Sequence, residues 1–182
     1  MVQIPPTPLP FFSLPEHLSF DCVKEFTEFV GEHSDKEIYL DCTGDGGLLS
    51  ECMAVASLIK THGNVTGILV GQAKSSHVTV FAHCHNRLIY PYSSIALHPT
   101  KIFIEGDGSQ GIDVNTAYCM YQDLKACDDF NLDSLVAASN KGRTWWENRY
   151  YKTVSYLNTI NAPELIHIGF AKYCTKNFAR AS

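Results

Sequence analysis

Apolar residues recur along this chain in blocks that change period. Over Pro15–His33, Leu18, Cys22, Phe26, Phe29 and Val30 fall on one helical face, and Gly31 offers a stop. Glu37–Cys42 is short and apolar enough for a strand, and Leu48–Lys60 continues as a mostly apolar helix. Val65–Val70 reads as a second buried strand, Gly71–Ser75 as a tight connection and Ser76–His85 as a helix. Short strands are expected at Leu88–Tyr90, Ile95–His98 and Lys101–Ile104. This alternation predicts an α/β fold with a largely parallel sheet and crossover helices. A polar, Gly-rich stretch, Glu105–Gly111, then precedes a long helix from Asp113 to about Ser139, striped by Val114, Ala117, Tyr118, Tyr121 and Leu124. Further helices are expected over Thr144–Tyr156 and Asn161–Phe170, the second closed by Gly169. No repeat or linker interrupts the pattern, so residues 11–182 read as one domain behind a Pro-rich extended arm, 1–10.

Composition narrows the functional classes. Apolar residues make up 45% of the 182 and charged residues 18%, as in ordinary globular proteins. The net charge of -5 argues against nucleic acid, which calls for a basic face. No apolar run approaches the roughly 20 residues that span a bilayer, and the start has no basic signal-peptide region. Cys22, Cys42, Cys52, Cys84, Cys119, Cys127 and Cys174 are odd in number, lie mostly within apolar patterns and form no C-x-x-C pair. Buried thiols in a reducing cytoplasm are the expectation.

Three places carry chemistry. Gly44-Asp45-Gly46-Gly47 joins a strand to a helix, where backbone N–H groups and the helix dipole can hold a phosphate or a developing oxyanion. The phosphate fingerprint fails at Leu49 and no G-K-[ST] follows. Gly71-Gln72-Ala73-Lys74-Ser75-Ser76-His77 also joins a strand to a helix; a serine there is either a nucleophile at a sharp turn or a helix cap. His98 ends a strand, before Pro99, within reach of an adjacent loop as a general base, or is an ordinary loop histidine. His77, His83, Cys84 and His85 invite a metal, but their spacing on a helix opposes a shared ion and no carboxylate completes the set. Neither a metal nor a cofactor is therefore expected. Trp145-Trp146 and Tyr150-Tyr151 read as packing or interface aromatics.

In order and spacing these features resemble the proteolytic subunit of the Clp protease (ClpP). Ile38–Gly47 resembles the segment of that family ending in a Gly-Gly pair, and Gly71–Ser75 its G-x-A-A-S nucleophile turn. Pro91–Pro99 is similar to the P-N-S-x-x-x-x-H base segment, and Asn161–Gly169 to the closing S-A-x-E-A-x-x-Y-G helix. Gln110 and Asp113 fall where the family enters its long handle helix. The resemblance implies a ClpP/crotonase-like fold of repeated ββα units with a protruding handle helix. It also implies serine-type hydrolysis of peptides or unfolded proteins inside a homo-oligomeric ring, a heptamer or double heptamer, in the cytoplasm. Ser75 would be the nucleophile, His98 the base, and the N–H groups of Gly47 and Ser76 the oxyanion hole.

The chain departs from that pattern in four ways. The third triad position aligns with Leu157; Asn158 beside it is the polar stand-in, and Glu147 is the nearest upstream carboxylate. Lys74, Ser76 and His77 replace small or apolar residues around the nucleophile. A shorter loop joins the segments bearing Ser75 and His98. The arm is short where the family docks an ATP-driven unfoldase, which argues for an ATP-independent peptidase core and against a Clp ATPase partner. A missing acid costs about ten-thousandfold in a triad, so a catalytically weakened structural or regulatory ring subunit, assembling with an active ClpP, is the alternative. A third is a crotonase-like acyl-CoA enzyme, using the same two backbone donors on a thioester enolate. A Ser75-Lys74 dyad is disfavoured because adjacent residues at a helix start diverge.

Overall fold

The computed structural model describes residues 9–101, 113–151 and 158–175. Its elements in chain order are β1 (Phe11–Ser13), β2 (His17–Leu18), α1 (Phe20–Glu32), β3 (Ile38–Asp41), β4 (Gly46–Gly47), α2 (Leu49–His62), β5 (Val65–Leu69), β6 (Gln72–Lys74), α3 (Ser76–His83), β7 (Asn86–Ile89), β8 (Ser94–Leu97), α4 (Val114–Ala137), α5 (Arg143–Tyr150), β9 (Asn158–Asn161), α6 (Ala162–His167) and β10 (Lys172–Tyr173). The main sheet runs β1-β3-β5-β7-β10 and is parallel throughout. A second sheet runs β6-β8-β9, with β6 and β8 parallel and β9 antiparallel. The pair β2-β4 forms a third, two-stranded ladder. Parallel strands need crossover connections, and α1, α2 and α3 supply them in the main sheet.

Every residue of β3 and β5 is buried, as expected of parallel strands covered on both faces. Phe26, Leu40, Val55, Ile59, Phe81, Trp146 and Phe170 anchor one continuous core. Helix ends are placed by side chains. Ser19 accepts from the Cys22 N–H at 3.3 Å, starting α1. Asp113 accepts from the N–H groups of Asn115 and Thr116 at 2.9 and 3.1 Å, starting α4, and Asn161 accepts from Glu164 N–H, starting α6. Arg87 ties three regions together: its guanidinium donates to the carbonyls of Cys84, Ala138 and Phe170 at 2.6, 3.0 and 2.6 Å.

The structure differs from the periodic reading in several places. The first helix starts at Phe20 rather than Pro15, because His17–Leu18 pair as a strand with Gly46–Gly47. It also runs through Gly31 to Glu32, with His33 as its cap. The stretch Gly71–Ser75 contains a strand, β6, where a bare connection was expected. Its three residues alternate too briefly to register as a pattern. The helix after it ends at His83, so His85 stands beyond it. Residues 102–104, 105–111 and 152–156 of the expected elements lie outside the described residues, as do Gln110, Leu157 and residues 1–8 of the arm. Four cysteines are buried, Cys22, Cys42, Cys52 and Cys84, whereas Cys119 is exposed and Cys127 and Cys174 are half-buried. Burial pushes the Cys22 thiol up to about 11 and the Cys52 thiol up to about 12, so both sit in the core as neutral thiols. Among the described residues no helix is long and apolar enough to cross a membrane.

Candidate active site

The second sheet gathers the candidate residues at one end. Ser75 follows β6 and His98 follows β8, its parallel neighbour. Asn158 opens β9, which runs the other way, and pairs with Leu97 beside His98. The ends of three strands therefore converge. Parallel strands deliver their C-terminal loops to the same edge, where α/β folds place ligands.

Ser75 has φ 52 and ψ -127, and it is the single non-glycine with positive φ among the described residues. Such a conformation costs about 1–3 kcal/mol and persists only where surrounding bonds fix it. Here the Ser75 N–H donates to Ala96 O at 3.1 Å, and Ser75 O accepts from Val78 N–H at 3.0 Å. The strained strand-to-helix turn is the geometry that projects a nucleophilic hydroxyl. Ser75 stands at the N-cap position of α3 without making a side-chain cap bond, which separates it from an ordinary capping serine. Ser76 is buried and donates its hydroxyl to Gly47 O at 3.0 Å.

The glycine turn presses against this elbow. Gly46 and Gly47 have φ 121 and 143, a region that side chains rarely adopt. A Cβ on Gly46 would lie 2.8 Å from Ser75 Cβ and 3.2 Å from Ser75 Oγ. The turn and Ser75 are thus in direct contact, and only a glycine at 46 leaves room for both. Lys74 and Asp45 bridge the two loops at 2.6 Å. That hydrogen bond from Lys74 holds the Asp45 carboxyl below the usual carboxylate range. Lys74 is therefore engaged with Asp45, away from a dyad with Ser75.

His98 Nδ1 lies 2.8 Å from Pro99 O. A carbonyl only accepts, so Nδ1 carries the proton and the neutral ring keeps its lone pair on Nε2, the tautomer a general base toward serine needs. Asn158, the residue expected to orient this ring, instead donates its amide to Arg149 O at 2.7 Å. Glu147 pairs with Arg143. The segment after His98 is anchored by a buried carboxylate: Asp128 accepts from Thr100 N–H at 2.8 Å, from the Tyr150 hydroxyl at 3.0 Å and from the Tyr151 hydroxyl at 3.2 Å. Asn131 joins the same network, donating to Tyr150 Oη at 3.1 Å and accepting from the Thr79 hydroxyl at 2.7 Å. Periodicity alone could not single out Asp128 and Asn131, which sit within a long helix. Burial, above all, pushes the Tyr150 hydroxyl's pKa up, keeping it a donor.

Ser75, Ser76, Gly47 and His98 line one cavity of about 640 Å³, walled also by Asn131 and Tyr150. Its contents fit acyl transfer: a projected hydroxyl, an imidazole in the basic tautomer, and the two backbone positions of an oxyanion site. The histidines around α3 make separate contacts. His77 contacts Gly46 and Pro15, His83 contacts Thr79 and stacks on Phe130, and His85 accepts from Val65 N–H. Among the described residues no group of three or more potential ligands gathers.

Residues 16–125 match the family model described as Clp protease. The match includes the glycine turn, Ser75 and His98, and ends before Asn158. No curated protein matches the chain.

Proposed function

The chain belongs to the Clp protease family, and on that footing we propose that it is a serine peptidase subunit cleaving peptides within an oligomeric chamber. Ser75 Oγ attacks the peptide carbonyl. His98 Nε2 takes the hydroxyl proton and returns it to the leaving amine. The N–H groups of Gly47 and Ser76 hold the carbonyl oxygen as it gains charge. Water then hydrolyses the acyl-Ser75 ester by the same route. The observation carrying this reading is the uncapped, positive-φ Ser75, facing the same cavity as a His98 whose Nδ1–H is held by a carbonyl.

Family members generally form oligomeric rings. The first half of α4 supports a homo-oligomer here: Val114, Tyr118 and Tyr121 are 84%, 62% and 59% exposed. A second copy of this chain is the natural cover for such a face.

One observation favours a second reading, a structural ring subunit of low activity. The His98 ring is oriented by the Pro99 carbonyl, and Asn158 is bonded elsewhere. A carbonyl fixes the tautomer but stabilises imidazolium less than a carboxylate does. Cleavage of a short fluorogenic peptide, measured alongside particle mass by light scattering, separates the two. The peptidase reading expects an oligomer that cleaves the peptide, with cleavage lost in Ser75→Ala. An assembled wild type without cleavage supports the structural subunit, and cleavage that survives Ser75→Ala puts the chemistry elsewhere.

A further inference from the structure

Two consecutive glycines form the softest piece of backbone in this site. Without Cβ atoms, Gly46 and Gly47 have little intrinsic resistance to rotation of the peptide between them. Yet the N–H of that peptide is the Gly47 donor of the proposed oxyanion site. The β2–β4 ladder holds one side of this strand, pairing His17 with Gly46 and Leu18 with Gly47, and the hydrogen bonds that flank the peptide must complete its orientation.

The bonds are present on both sides. Downstream, the Ser76 hydroxyl donates to Gly47 O at 3.0 Å. Upstream, the Gly46 N–H donates to His77 Nδ1 at 3.0 Å. His77 is fully buried. Its other nitrogen, Nε2, lies 3.0 Å from Pro15 O. Since Pro15 O can only accept, Nε2 bears the proton, and Nδ1 is left bare to receive the Gly46 N–H. One tautomer satisfies both contacts. The ring also fills the space above the start of the turn: a Cβ on Gly44 would lie 2.3 Å from His77 Nε2. Burial lowers the His77 pKa, with His17 acting in the same direction and Asp45 opposing it, so the ring stays neutral as its acceptor role requires.

We propose that His77 is a positioning residue for the oxyanion turn, its Nδ1 fixing the Gly46 amide and thereby the direction of the Gly47 N–H. This rests on the peptidase reading above. His77 touches no substrate atom; it acts through Gly46. Its position two residues after Ser75 couples the turn to the same helix start that carries the nucleophile, so the hydroxyl and the oxyanion donors share one frame.

Two substitutions separate this role from mere packing. In His77→Asn the side-chain oxygen replaces the Nδ1 acceptor, and the contact to Pro15 is lost. In His77→Gln the terminal amide replaces the Nε2 donor, and the Gly46 N–H loses its acceptor. Misplacing an oxyanion donor costs on the order of a hundredfold. His77→Gln is accordingly expected to lower kcat for peptide cleavage by about thirtyfold or more with little change in KM, and His77→Asn by about threefold or less. Equal losses in the two variants, or the reverse order, would show that His77 only ties Pro15 to α3 and would overturn the proposal. Amide exchange over residues 44–47 decides the matter even where a variant fails to assemble. Protection at Gly46 is expected in the wild type, and a rapidly exchanging Gly46 overturns the role. A wild type that cleaves no peptide removes the peptidase reading, leaving exchange as the judge of the Gly46 bond. A cleaving wild type with Gln equal to Asn removes the positioning role alone.

Discussion

Replacing His98 with alanine is expected to lower kcat for peptide cleavage by about a thousandfold, within the range for a positioned general base. A serine hydroxyl is a weak nucleophile while it keeps its proton, and the leaving amine departs poorly without one. In the proposed mechanism His98 serves both steps through Nε2. Its Nδ1–H is already committed to Pro99 O at 2.8 Å, so no tautomer shift is required before the proton moves. Residual activity in His98→Ala would come from the oxyanion site and from substrate binding, which do not depend on the ring. Steady-state kinetics on the folded variant checks this, and a kcat within about tenfold of the wild type would contradict the assignment. The effect is not raised further because the carbonyl partner supplies no full charge to the imidazolium, so the wild type itself sits below a complete triad.

Truncating Trp146 to alanine is expected to cost about 3–5 kcal/mol of stability, the range for deleting a large buried aromatic. Trp146 has no exposed surface. Its indole N–H donates to Ser139 Oγ at 2.9 Å, and its ring packs on Phe170 and edge-on against Trp145 at 5.7 and 4.9 Å. It thus joins α5 to the end of α4 and to the segment before β10. Alanine leaves both a cavity and a hydroxyl without its donor. Trp146→Phe keeps most of the ring volume and is expected to lose less. Urea denaturation measures both variants, and a loss below about 1 kcal/mol for alanine would mean the site collapses around the gap.

Much of this architecture was written in local patterns. The alternation of apolar strands and amphipathic helices exposed the parallel sheet. Gly44–Gly47, Ser75 and His98 stood out because each occupies a strand end, where α/β folds place chemistry. What escaped were features that local sequence does not encode. β6 spans three residues and β2 two, too short for any period, and both exist because a neighbouring strand pairs with them. Asp128 and Asn131 lie one turn apart on α4, and they meet Tyr150 only when α5 packs against that helix. Side chains near Asn158 offer His98 no acid, whereas the group facing the His98 Nδ1 is the backbone carbonyl of Pro99, one residue away. Every residue has a carbonyl, so its role is invisible until the turn is folded. His77 is similar: as a letter it marked a departure beside Ser75, and only the hydrogen bond it accepts from the Gly46 N–H ties it to the glycine turn.

The most direct test of a nucleophilic Ser75 is the site of a covalent adduct. The purified wild type is incubated with a fluorophosphonate, digested and mapped by mass spectrometry. A single phosphonyl adduct on Ser75, absent from Ser75→Ala and strongly slowed in His98→Ala, is the predicted result. An adduct on another serine, or labelling that persists in Ser75→Ala, would contradict the account.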